Sequence, residues 1–77
     1  MYIFKPSTRK NKKYDVYKND KYLVSFGSSL NQQYFDKIGY YSNLNHLDKK
    51  RRDNYYKRFG KDAKFESAKY FSHKYLW

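Results

Sequence analysis

The stretch DKKRRDNYYKRFG at 48–60 puts long cationic side chains at a spacing that suits phosphate binding. Read as a helix at roughly 100° per residue, it carries Lys50, Arg51, Asn54, Lys57 and Arg58 on one side. Tyr55, Tyr56 and Phe59 share the other, with Arg52 falling among them. Phosphate recognition needs cations on a rigid element, and arginine adds a bidentate fork to its charge. Asn54 has the donor and acceptor to meet a base edge. The plainer alternative is the solvated face of an ordinary helix. Arg52, among rings, fits a structural role: stacking on an aromatic or pairing with Asp36 or Asp48. Asp53 and Lys57 have the spacing of a helix-supporting ion pair.

A second basic cluster precedes it. Arg9, Lys10, Lys12 and Lys13 crowd the segment 7–13, a basic loop or arm able to follow a phosphate backbone if it is mobile. Charges of this kind also keep a sheet edge from pairing with other chains. Tyr17, on the outer face of a hairpin, is the one tyrosine expected to be free for base stacking.

Catalytic chemistry has little to work with. His46 and His73 lack metal-ligand spacing, and there is no cysteine, glycine-rich phosphate loop or nucleophile elbow. A nuclease would need Asp36, His46 and Asp48 to converge through folding. The sequence therefore predicts a protein that is not an enzyme, with no catalytic residues, no metal and no cofactor.

The elements that must carry these charges follow from the apolar pattern. YDVYK and YLVSF flank a turn signal and predict a β-hairpin over 14–26. Taking Asn19, Asp20 and Lys21 as a three-residue loop sets Val16 opposite Val24 and Tyr14 opposite Phe26, gathering the apolar residues on one face. Tyr2, Ile3 and Phe4 form a short apolar run before Pro6. Tyr34, Phe35 and Ile38, in a short helix or loop, are expected to enter the core. Asp48 caps a basic helix over 48–59 that stops at Gly60, and Ser67 caps a C-terminal helix over 67–77. In that last helix Ala68, Phe71 and Tyr75 make a core stripe, while Tyr70 and Trp77 make a second stripe suited to a partner interface.

Seventy-seven residues allow one domain, and its single core must be unusually effective. Eleven tyrosines, six phenylalanines and one tryptophan supply the apolar area, and their hydroxyls will need partners. The predicted fold class is α+β, a β-hairpin packed against two or three short helices around an aromatic-rich core. Eighteen Lys and Arg against seven Asp and Glu leave a net charge of +11, which points to an acidic partner. No apolar run approaches a membrane span, and the N-terminus lacks the apolar core of a signal peptide, so secretion is not expected.

With SFG at 25–27, GYYSNL at 39–44, DKKRRDNYYKRFG at 48–60 and SAKYFSHKYLW at 67–77, the chain resembles a group of small, basic, uncharacterised proteins of large (giant) DNA viruses. More distant look-alikes occur in tailed phages. The likeness covers nearly the whole length, and DKKRR and SHKYLW are its most specific parts. Relatives often carry His where this chain has Asn43 and Phe59, and Asp where it has Asn45. The resemblance implies a location inside the infected host cell, in nucleus or cytoplasm, or in the virion. It implies either a basic protein associated with the genome or a small factor acting on nucleic acid.

Together these readings predict a non-catalytic protein that binds DNA or RNA by phosphate contacts of low sequence specificity, packaged with the genome in the fuller form of the reading. The competing expectation is a virion structural or interaction module that binds an acidic or capsid protein.

Overall fold

Alternating residues in the first third of the chain build a three-stranded antiparallel meander. The structure, a computed structural model, describes residues 1–77. Strands β1 (Tyr2–Pro6), β2 (Tyr14–Lys18) and β3 (Lys21–Phe26) lie in that order in the sheet. Val16 pairs with Val24 and Tyr14 with Phe26, the register expected from the apolar pattern.

The turn that achieves this register differs from the expected one. Lys18 pairs with Lys21, so Asn19 and Asp20 form a two-residue turn, with φ of 52° and 65°. Asparagine and aspartate tolerate these left-handed values, and such turns match the twist of a hairpin. A two-residue turn alone would set Val16 against Leu23. The pairing slips by one residue between Val16 and Tyr17, leaving Leu23 as an extra residue in β3. The bulge restores the apolar face that a three-residue loop was invoked to give.

The apolar run before Pro6 is a strand as well. Phe4 pairs with Val16, and Pro6, which has no N–H to give, stands at the last position of an edge strand. Tyr2, Phe4, Tyr14, Val16, Val24 and Phe26 thus share one face of the sheet.

Helix α2 (Ala68–Tyr75) covers that face. Ser67 caps it by accepting the Tyr70 N–H. The Phe71 ring sits 5.1 Å from Tyr2, 6.0 Å from Phe4 and 5.7 Å from Phe26. Tyr14, Val16, Phe26, Phe71 and Leu76 are fully buried, and Ala68 and Tyr75 pack around them as the stripe predicted. The helix ends two residues sooner than expected, with Leu76 turning back beside Gly27. A Cβ on Gly27, which has φ of +77°, would stand 2.9 Å from the Leu76 Cδ1 atom. Hence only glycine fits there.

Helix α1 (Lys49–Phe59) is the predicted basic helix, but it buries none of its residues. Asp48 caps it by accepting the N–H groups of Lys50 and Arg51, and Gly60 closes it with φ of 77°. Its attachments are side-chain contacts. Tyr55 stacks face to face on Trp77 with ring centroids 4.4 Å apart, and the Tyr55 and Tyr56 hydroxyls reach His73. Arg52 stacks over Tyr34 and donates to the Trp77 main-chain oxygen at 2.7 Å, pairing with neither Asp36 nor Asp48. Asp48→Ala is expected to cost about 1 kcal/mol. Because α1 is attached only at its surface, amide exchange should quicken in α1 first, leaving the sheet protected.

Of the two alternatives for residues 30–38 the structure takes the loop, followed by a short 3-10 helix at Ser42–Leu44, and the loop does not carry all three apolar side chains into the core. Phe35 is 44% exposed, Ile38 packs on the core, and Tyr34 lies against His46 and under Arg52. Polar side chains hold this segment. The buried Asp36 accepts from the Tyr14 hydroxyl, Tyr41 N–H and Ile38 N–H, and the Asn45 side-chain oxygen accepts from Gln33 and from the Asp36 N–H. Burial and the Asp36 carboxylate both push the Tyr14 hydroxyl pKa upward, so it stays a donor.

Candidate nucleic-acid interface

Some members of the two basic clusters, far apart in sequence, meet at one groove of about 830 Å³. Arg51, Asn54 and Arg58 reach it from α1, separated by three and four residues and so on one side of the helix. Lys12 reaches it from the β1–β2 connection and Lys69 from α2. Lys12, Arg51 and Arg58 are exposed and Lys69 is half-buried; the rest of the lining includes the half-buried Tyr55, Ala68, Ser72 and Trp77 and the buried Leu76. No aspartate or glutamate lines the groove. A hydrogen bond from Arg51 to the Gln32 side-chain oxygen at 2.8 Å joins its two sides.

The remaining sites named from sequence are distributed differently. Lys50 and Lys57 are exposed on α1 but lie outside the groove lining, as does Lys10. Arg9 is on the opposite face of the sheet, its guanidinium 4.1 Å from the centre of the Tyr22 ring. That face also carries Tyr17 under the Lys5 ammonium, and a buried Asp15 whose carboxylate accepts from Ser7 and Ser25.

Segment 7–13 is not a free arm. Ser7 N–H donates to the Lys13 carbonyl, Lys12 N–H to the Arg9 carbonyl and Lys13 N–H to the Gly27 carbonyl. Lys13 itself is a correction: it is only 1% exposed. Its ammonium donates to the Asn31 carbonyl and the Gln33 side chain, so it braces the groove wall from inside and offers nothing to a phosphate. The strand pairing that begins at Tyr14 and the close approach to Gly27 draw it inward.

Tyr70 and Trp77 do not share a stripe either. The chain leaves the helix after Tyr75, so Trp77 stacks on Tyr55 in the groove while Tyr70 packs on Phe65 and Phe71 elsewhere. Sequence reasoning missed Lys69, although its spacing from Ser72 and Leu76 marks a stripe beside the Phe71 face.

Asp36, His46 and Asp48 do not converge as an acid–base site. Asp36 is bound up with Tyr14, and the His46 Nδ1 accepts the Asp48 N–H at 2.9 Å. Its Nε2 is buried without a hydrogen-bond partner. No group of three or more His, Asp or Glu side chains is arranged to hold a metal ion. No helix is long and apolar enough to cross a membrane.

No protein-family model, curated protein or solved structure matches this chain.

Three titratable groups, the buried Lys13 and the half-buried His46 and His73, make stability depend on pH. Burial, aided by Arg51, lowers the His46 pKa, and burial, aided by Lys69, lowers that of His73. In the unfolded chain both take up protons near 6.5, so the folded state loses stability as pH falls through that value. Burial lowers the Lys13 ammonium from 10.5 to about 8, against the opposing pull of Asp36. Across that interval the unfolded chain holds the extra proton, so Lys13 adds stability as pH rises. Urea midpoints should therefore fall below pH 6.5 and climb between pH 8 and 9.5. A flat profile would show that neither burial persists in solution.

Proposed function

We propose that the protein binds nucleic acid by its sugar–phosphate backbone, with low sequence specificity and without catalysis. The observation that carries this reading is the groove where Lys12, Arg51, Arg58 and Lys69 converge with no aspartate or glutamate among them. Excess positive charge spread evenly over a surface would serve solubility alone. Cations from three separate elements facing one concavity match a polyanion that can follow it. The resemblance to small basic proteins of large DNA viruses supports a genome-associated role, with packaging in the virion as its fuller form.

Fluorescence anisotropy with labelled DNA and RNA across a salt series tests the proposal. Four cations at roughly 0.7 counterion each give a log–log slope of about −3 for a single strand. Absence of binding to every nucleic acid near physiological salt would overturn it, and an acidic protein would become the partner to seek.

A further inference from the structure

The groove distinguishes between nucleic acids by what lies beneath its cations. Resting on the proposed nucleic-acid binding, we infer that the preferred ligand is a single strand, its phosphates held by Arg51, Arg58, Lys12 and Lys69 and its bases stacked on the groove's aromatic wall. That wall consists of Phe59, Tyr55 and Trp77. Phe59 is 44% exposed and lines the groove, its ring centroid 4.9 Å from Tyr55, which in turn stacks on Trp77. The Arg58 guanidinium lies over the Phe59 ring, 5.2 Å from its centre, so a cation and a solvent-exposed ring are paired at the groove. This pairing of ring and charge is what a backbone with unpaired bases requires.

A duplex meets the groove differently. Its base faces are stacked inside the helix, and it presents phosphates and base edges on a convex surface. It can touch the exposed cations of α1 but cannot lay a base against Phe59 or the recessed Tyr55. A single strand makes both sets of contacts. The plainer role for the apolar wall is to anchor α1 and nothing more. Phe59 argues against that: its neighbours Tyr55 and Tyr56 already make the contacts to α2 and Trp77, and it remains open to solvent.

The test compares an oligothymidylate, an abasic strand with the same number of phosphates, and a duplex, followed by anisotropy and by the fluorescence of Trp77, the chain's one tryptophan. Expected are binding of the oligothymidylate about tenfold tighter than of the abasic strand, as for one stacked base, and quenched Trp77 emission with the former only. Phe59→Leu should remove most of that advantage without changing the salt slope, and Phe59→Tyr should restore it. Phe59 is exposed, so these variants are expected to fold. Equal affinity for thymidylate and abasic strands, or an unaffected Phe59→Leu variant, would overturn base stacking while leaving phosphate binding intact. Failure of all three ligands to bind would overturn the underlying reading as well.

Discussion

Changing Arg51, Arg58 and Lys69 together to Gln is expected to weaken single-strand binding about 100-fold at 0.1 M salt and to flatten the log–log salt slope from about −3 to about −0.7. Each charge removed leaves a phosphate whose counterions are no longer released on binding, and the electrostatic share of affinity is that release. Arg51 and Arg58 are exposed on α1, and Lys69 lies on the groove side of α2, away from the Phe71 face. The fold should survive, as circular dichroism would show. A control discriminates position from total charge. Arg9→Gln removes a cation stacked on Tyr22, across the sheet from α2, and should change affinity by about twofold or less. If Arg9→Gln and a single groove change weaken binding equally, charge alone governs association and the groove is not the site.

Phe71→Ala is expected to leave the chain largely unfolded at 25 °C. Phe71 is fully buried and touches rings from two of the three strands, as well as Tyr70 and Tyr75 on its own helix. Removing a buried phenyl ring costs about 3–5 kcal/mol, and a single core of this size contributes a net of only about 3–5 kcal/mol. Far-UV circular dichroism and loss of amide protection would report the collapse. Phe71→Leu keeps most of the volume and should fold with a lowered urea midpoint. A cooperative, near-native transition for Phe71→Ala would mean that the sheet is stabilised by something other than α2.

Local chemistry made some of this legible in the sequence. The caps Asp48, Ser67 and Gly60 placed both helices because orphan N–H and carbonyl groups at helix ends have few possible partners. The facing of Val16 with Val24 followed from the need to put apolar residues on one side. The same reasoning missed the Leu23 bulge, because two different turns satisfy one apolar pattern. It missed β1 because an edge strand is defined by the neighbour it finds.

The burial of Lys13 was least accessible. Its type and its basic neighbours say surface, and only the far-off Gln33 and Asn31, brought alongside by folding, give its ammonium an internal home. For the site, the helical pattern grouped Lys50, Arg51, Asn54, Lys57 and Arg58, of which Arg51, Asn54 and Arg58 reach the groove while Lys50 and Lys57 do not. What sequence could not supply is that Lys12 and Lys69 close the same groove, since this depends on the path of residues 28–47, which are held by polar contacts with no periodicity.

The bulge at Leu23 also constrains how this chain can change length over its descent. Deleting Leu23 itself would only remove the bulge and leave Val24 opposite Val16 and Phe26 opposite Tyr14, but losing or gaining a residue between Val24 and Phe26, or between Tyr14 and Val16, would turn one apolar pair to opposite faces of the sheet. The hairpin therefore tolerates substitution far better than a shift in the reading of its length. Insertions and deletions among relatives should accumulate instead at 61–66 and around Gly39, where added chain meets no paired strand. Aligning distant relatives would then best begin from the spacing of Tyr14, Val16, Val24 and Phe26 rather than from the basic residues, which many sequences could acquire independently.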